Sequence, residues 1–404
     1  MLPEGWKPYR LCQLMSFRNG LNFKQADVGE TIKIVGVGDF QTRSRLEDTS
    51  GLASISVAGA VRDADLLEDG DLLFVRSNGN KALIGRCLYF PLVQERLSFS
   101  GFTIRARVVP AKILPDFASY LVRADHVTNQ MVEGGSGTNI NNLSQEILND
   151  VCVTIPKIPE QRRISSILQT WDSAINAAEK ILNNSRRQKR ALMQQLLTGK
   201  KRLQGFSNNW TTYRLGKLFK ERVENTRGDL PLLSVTREEG IIPRDDVGRK
   251  DTSNEDKSNY LRICPGDIGY NTMRMWQGVS ALSAYEGIIS PAYTVLIPQS
   301  KIDGRFAAYL FKFEPVVFLF YRYSQGLVSD TWNLKYPHFA EIKVSIPERK
   351  EQEAIADVLA TADAEIIALT KELERLQVEK RALMQQLLTG KRRVRLAERE
   401  AVEA

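Results

Sequence analysis

"KRALMQQLLTGK" spans Lys189 to Lys200, and the same twelve letters return at Lys380 to Lys391. The offset of 191 holds well upstream of that block. Ile155-Pro156 falls on Ile346-Pro347, Gln161 on Gln352, Ile164 on Ile355, Leu168 on Leu359, Asp172 on Asp363 and Leu182 on Leu373. No gap is needed from Asn142-Leu143, which fall on Asn333-Leu334, to the end of the identical block. An ungapped match over about sixty residues marks a length set by packing, because loops tolerate insertions and packed helices do not.

The repeated stretch carries a heptad seam. In the first copy it reads Ile164, Leu168, Trp171, Ile175, Ala178, Leu182, Ser185, Lys189, Leu192, Leu196. In the second it reads Ile355, Leu359, Ala362, Ile366, Leu369, Leu373, Leu376, Lys380, Leu383, Leu387. Steps of three and four with charge on the remaining positions predict two long helices. Pro159 and Pro347 stand at their starts, and Gly199 and Gly390 are placed as left-handed caps followed by cations. A helix from Pro159 to Thr198 would run roughly 60 Å at about 1.5 Å per residue. Lys189 and Lys380 are the polar intruders in the seam. Either their stems pack while the heads reach water, or they set the register. Two equal seams bury most surface against each other, and antiparallel pairing makes them an intramolecular coiled coil.

Weaker echoes precede each helix. "WKPYRL" at Trp6 resembles "WTTYRL" at Trp210, and "EDGDLLFV" (Glu68 to Val75) resembles "CPGDIGYN" (Cys264 to Asn271). The chain therefore reads as domain, helix, domain, helix, with segments 1–154, 155–205, 206–345 and 346–404. Short β-like runs such as "TIKIVGV" and "YTVLIP", broken by Gly, Asn and Pro, make both domains α+β.

The formal charge of +8 favours an acidic partner such as nucleic acid. Two loops carry matching chemistry. "RSNGNK" follows a strand and offers Arg76, Ser77, Asn78, Asn80 and Lys81; "NTMRMWQG" follows the corresponding strand and offers Thr272, Arg274 and Gln277. Arg fits guanine edges, and Asn or Gln fits adenine edges, in the major groove. Taken alone, "SNGN" is better explained by a solvated hairpin tip with Asn-Gly turn chemistry; two such loops at matching places on a basic chain point towards DNA. "EGGSGTNINNL" (Glu133 to Leu143) and "SQGLVSDTWNL" (Ser324 to Leu334) sit at matching positions too. Each either approaches phosphates through backbone N–H groups or turns the chain back towards its helix.

Catalytic chemistry is sparse. No phosphate-binding G-x-x-x-x-G-K-[ST] occurs, and "GVGDF" (Gly36 to Phe40) is a turn rather than a nucleotide cradle. Asp245 or Asp246 with Glu255 and Lys257 would suit a metal-dependent nuclease, but the stretch is uniformly polar and reads as a solvated loop. His126 and His338 have no partners in motif range. Four dispersed cysteines and two histidines leave no zinc or disulfide framework, as the reduced cytosol would favour, and no metal site is expected. "MLPEGWKPYR" is no signal peptide, and "EPVVFLFYRY" is too short to span a bilayer, so a cytoplasmic protein is expected.

Taken together, "IPKIPEQRRISSIL…RALMQQLLTGKKR", "IPERKEQEAIADVL…RALMQQLLTGKRR", "GDLLFVRSNGN" and "GIISPAY" (Gly287 to Tyr293) make the chain resemble the DNA-specificity (S) subunits of type I restriction–modification systems over nearly its whole length. The resemblance implies two target-recognition domains, each reading half of a split double-stranded DNA site. Two spacer helices would set the gap between halves and dock two methyltransferase subunits, with motor-nuclease restriction subunits joining that core. It implies a non-catalytic chain without cofactors, with S-adenosylmethionine, ATP and Mg²⁺ held by partner subunits. The rivals are a self-contained nuclease and a coiled-coil scaffold with no DNA role.

Overall fold

A computed structural model describes residues 3–395 apart from 24–27, 42, 135–141, 226–229, 237–239, 248–255 and 328–330. The chain forms two compact units: Met1–Ala178 with Glu372–Ala404, and Glu179–Lys371. These units do not follow the four sequence segments. Each long helix, Ile158–Leu196 and Arg349–Leu387, changes unit midway, so each unit takes the start of one helix and the end of the other. Both helices run 39 residues and start close to the expected prolines.

Every seam position is buried or half-buried in both copies, while most positions between them are exposed, as a two-helix pairing requires. Gly199 and Gly390 have φ of 69° and 70°. The carbonyls of Gln195 and Gln386 accept the N–H groups of Lys201 and Arg392, which closes each helix end.

In unit 1 a four-stranded antiparallel sheet runs in the order Met15–Asn19, Thr103–Val108, Leu72–Val75, Cys87–Tyr89. In unit 2 the same order is kept by Phe219–Glu221, Tyr293–Pro298, Ile268–Asn271 and Ser280–Leu282. The first and last strands of each domain pair antiparallel: Lys7–Arg10 with Cys152–Ile155, and Thr211–Arg214 with Lys343–Ile346. That ladder returns the chain to the point where its helix begins. The second layer differs. Unit 1 has a three-stranded sheet (Ser54–Ala58, Gly29–Val35, Leu97–Phe99), whereas unit 2 has two ribbons, Leu233–Val235 with Ile241–Pro243 and Leu261–Ile263 with Gly287–Ile289.

One apolar core per unit joins domain to helices. In unit 1 Trp6, Phe117, Tyr120 and Leu148 share a core with Ile164, Leu168, Leu387 and Leu388. In unit 2 Phe306, Leu310 and Phe339 share one with Leu196, Leu197, Ile355 and Leu359. A smaller core lies beneath each second layer.

Polar contacts repeat with the same residue types. Gln161 accepts from the Leu114 N–H at 2.9 Å and donates to the Lys112 and Pro156 carbonyls. Gln352 accepts from the Asp303 N–H at 2.8 Å and donates to the Lys301 and Pro347 carbonyls. Arg393 grips Glu160 through two N–H groups at 2.8 and 2.9 Å, and Arg202 grips Glu351 with both at 2.6 Å. Planar two-point pairing fixes angle as well as distance. These contacts explain why Glu-Gln opens each helix and why a cation follows each Thr-Gly-Lys.

The seam lysines have partners. Lys380 pairs with Asp172, and Tyr120 donates to the same carboxylate at 2.6 Å while its ring lies 5.5 Å from the ammonium. In unit 2 Lys189 pairs with Asp363, Tyr309 donates at 2.8 Å and its ring lies 5.4 Å away. Burial and the neighbouring carboxylate push both tyrosine hydroxyls up, so they remain donors at neutral pH. Each triad ties one domain to both helices. The pairs 160 with 393 and 172 with 380, like 351 with 202 and 363 with 189, run in opposite directions, so the helices are antiparallel within each unit.

Candidate nucleic-acid interface

The two loops singled out by composition leave equivalent strands and are held by equivalent backbone bonds. In unit 1 the Arg76 N–H donates to Phe102 O at 2.8 Å, and the Arg76 carbonyl accepts from the Leu143 N–H at 2.8 Å. In unit 2 the Thr272 N–H donates to Ala292 O at 3.2 Å, and its carbonyl accepts from the Leu334 N–H at 2.9 Å. Leu143 and Leu334 are both fully buried and belong to the glycine- and serine-rich loops that the repeat aligned. The described ends of those loops therefore brace the neighbouring loop. Their centres, 135–141 and 328–330, lie outside the described residues.

The turns preceding these strands also match. Asp71 and Asp267 are buried, and each accepts the N–H three residues back, from Glu68 and Cys264, at 2.8 Å. Arg107 and Arg222 then neutralise them through two N–H groups each. The "GD" echo is thus a strand anchor.

Beyond the brace the loops differ. In unit 1 Asn78 Oδ1 accepts from the Asn80 N–H at 2.8 Å, and Asn80 Oδ1 from the Ala82 N–H at 3.1 Å. Both amide oxygens accept within the turn, as the hairpin-tip reading expects. Arg76 and Ser77 are half-buried at the base, with Arg76 Nη1 3.5 Å from Gly101 O. Lys81 is exposed at the tip.

In unit 2 the Thr272 hydroxyl donates to Ala292 O at 2.9 Å, so Thr272 braces rather than reads. Arg274 is exposed and has no side-chain partner among the described residues; Gln277 is half-buried. The loop rests on aromatic rings that spacing did not reveal. Trp276 meets Trp332 edge to face at 5.3 Å, and Trp332 meets Tyr321 at 4.9 Å. Trp332 was in view in "SQGLVSDTWNL", but nothing in its spacing pairs it with Trp276.

The rival nuclease residues are only partly described. Asp245 and Asp246 lie on an exposed turn, Glu255 is outside the described residues, and Lys257 lies 4.9 Å from the Tyr260 ring. Among the described residues no group of three or more His, Cys, Asp or Glu side chains is arranged to hold a metal ion. His126 sits in Asp125–Gly134 with its pKa lowered by burial, and His338 sits in Tyr336–Glu341. Among the described residues no helix is long and apolar enough to cross a membrane.

Two copies of one unit, each bearing a braced, cation-carrying loop and joined through repeated helices, define a two-headed recognition protein. The sequence model of the type I restriction modification DNA specificity domain matches residues 3–185 and 201–380, and the chain belongs to that family. It is similar to the type I restriction enzyme MjaVIII specificity subunit of Methanocaldococcus jannaschii, at 24% identity over 98% of this chain and 94% of that one. Its fold is similar to a chain solved for the complex assembly and conformational transition of the type I R-M system, with a TM-score of 0.61 and 17% identity over 96% of this chain and 98% of that one. It is also similar to the type I restriction–modification S subunit from M. genitalium, with a TM-score of 0.56 and 13% identity over 96% and 99% of the two chains. The protein is thus a DNA-recognition subunit of a type I restriction–modification system, and neither the nuclease nor the scaffold reading is favoured.

Proposed function

We propose that each unit reads one half of a bipartite double-stranded DNA site, through 76–81 in unit 1 and 272–277 in unit 2. The observation that carries this is the equivalence of the two braces: the same backbone bonds hold two loops of different side chains. Arg76, Asn78, Asn80 and Lys81 then supply donors to base edges and phosphates, and Arg274 and Gln277 do so in the other half. Ser77 and Thr272 hold the loop bases. The two long helices set the unspecified gap between halves.

The helices also dock two methyltransferase subunits, one per copy of the identical block. Arg190 and Arg381, Ala191 and Ala382, Gln194 and Gln385, and Gln195 and Gln386 are identical and exposed in both copies. Folding alone does not demand identity at exposed positions. Earlier in the helices exposed positions have diverged, as at Ser166, which aligns with Asp357 in the repeat. A shared partner supplies the missing constraint. Restriction subunits join that core, and S-adenosylmethionine, ATP and Mg²⁺ are bound by the partner subunits, leaving this chain without catalysis of its own. The assembly works in the cytoplasm.

The test is methylation mapping. The chain is expressed with its neighbouring methyltransferase subunit in a methylation-free host, and N6-methyladenine is mapped. A split motif with a fixed gap is expected; no new methylation with both proteins present would sink the reading. Binding of the assembled complex should also weaken steeply with salt, because neutralised phosphates release counterions.

A further inference from the structure

Both loops are braced alike, yet their tips offer different chemistry. Unit 1 presents polar amides, whose oxygens each accept one N–H within the turn, beside the exposed Lys81. Unit 2 presents an apolar side chain beside a cation: Met273 is 41% exposed, and Arg274 next to it is exposed.

Met273 is held there. Its N–H donates to Asn271 Oδ1 at 3.0 Å, and its carbonyl accepts from Trp276 Nε1 at 3.0 Å. Trp276 is in turn seated on Trp332, Trp332 meets Tyr321, and Phe318 lies 6.0 Å from Tyr321. An apolar group fixed at a tip in water gains most by being covered. The surrounding cations say by what. Arg274, Arg322 and Lys335 are exposed, and none has an ion pair among the described residues, which suits a polyanion. In the major groove of DNA the apolar feature of a base edge is the thymine C5-methyl, and arginine takes the O6 and N7 of guanine.

We propose that unit 2 reads a thymine methyl next to a guanine. Met273 covers the methyl and Arg274 bonds the guanine, so its half-site contains adjacent T·A and G·C pairs. This rests on the reading of 272–277 as the DNA-facing loop.

The test uses the full chain assembled with its methyltransferase and the mapped motif. The half read by unit 2 is the one whose specificity relaxes in Arg274→Ala. Duplexes are then made with each thymine of either half replaced by uracil, which removes only the methyl. One replacement in that half, beside a guanine, should raise Kd about three- to fivefold, the size expected for one buried methyl group. Replacements in the other half should leave Kd unchanged. Met273→Ala should weaken the thymine duplex by a similar factor and erase the difference between thymine and uracil.

The proposal is overturned if that half has no thymine beside a guanine, if every uracil duplex binds as tightly, or if Met273→Ala keeps the difference. It is also overturned if Met273→Ala blocks assembly with the methyltransferase, which would give the patch to a protein partner. If Arg274→Ala relaxes neither half, the DNA-facing reading of the loop falls with it. If Arg274→Ala relaxes one half and uracil is neutral, only the methyl assignment falls.

Discussion

The two helix clasps and the two loops stand in contrast. Glu160–Arg393 and Glu351–Arg202, Gln161 and Gln352, and the Lys–Asp–Tyr triads use the same residue types in both units at closely similar distances. The loops 76–81 and 272–277 hang from equivalent backbone bonds, yet no position in them carries the same side chain. Side chains that meet the same neighbours twice are held to one solution. A loop whose brace is made by backbone atoms is free to change every side chain without disturbing its support.

The contrast can be broken most severely at the helices. Inserting four residues at Ala177 adds about 6 Å of helix and moves Asp172 out of step with Lys189 along the same helix. Methylation mapping should show a longer gap between half-motifs or no assembly at all. An unchanged motif with normal assembly would end the spacer role.

Core truncation comes next. Leu168→Ala and Leu359→Ala remove fully buried side chains at repeated positions. Each should cost about 2–5 kcal/mol in its own unit, read by hydrogen exchange resolved along the chain. Equal losses in both units would undo the assignment of each leucine to a separate core.

A smaller effect sharpens the equivalence of the clasps. Glu160→Gln and Glu351→Gln each leave an arginine without its carboxylate. Each should cost about 1.5–3 kcal/mol, and the two values should agree within error. A tenfold difference in local opening between the units would show that the clasps are alike in geometry only.

The smallest change is Tyr120→Phe beside Tyr309→Phe. Each removes one hydrogen bond to a carboxylate that keeps its lysine partner, with the ring still against that lysine, for about 1.5 kcal/mol, the low end for a bond to a charged group. Neither should alter the bases recognised, whereas Arg274→Ala should relax one half-site with little change in stability.

Much of the helical architecture was legible because its signal is local or repeated. The heptad seam, the glycine caps and the Glu-Gln start all lie within a few turns of one another. The triads were half visible. Lys189, Lys380 and the matched aspartates Asp172 and Asp363 stood in the repeat, but their pairing joins residues about two hundred positions apart. Tyr120 and Tyr309 left a trace in "FASYL" and "FAAYL", shifted by two from the main offset and so easily passed over. That the two loops follow matching strands was legible in the "GD" echo. Which side chains face outward was not legible, since it depends on turn bonds at Asn78, Asn80 and Thr272. The aromatic seat under Arg274 was hidden for the same reason: Trp276 and Trp332 meet only after the domain closes.

One junction is built in two ways. In unit 2 continuous backbone runs from Gly199 to Trp210, and the indole lies against the glycine, 3.2 Å from where a Cβ would sit. In unit 1 Gly390 meets Pro3 and Trp6 in the same manner, and Arg393 donates to the Glu4 carbonyl at 2.7 Å, with no peptide link needed between the two segments. The same packing of an indole on a glycine cap therefore serves whether the tryptophan follows the cap closely or precedes it by most of the chain. Backbone continuity between the two is no part of what the contact requires.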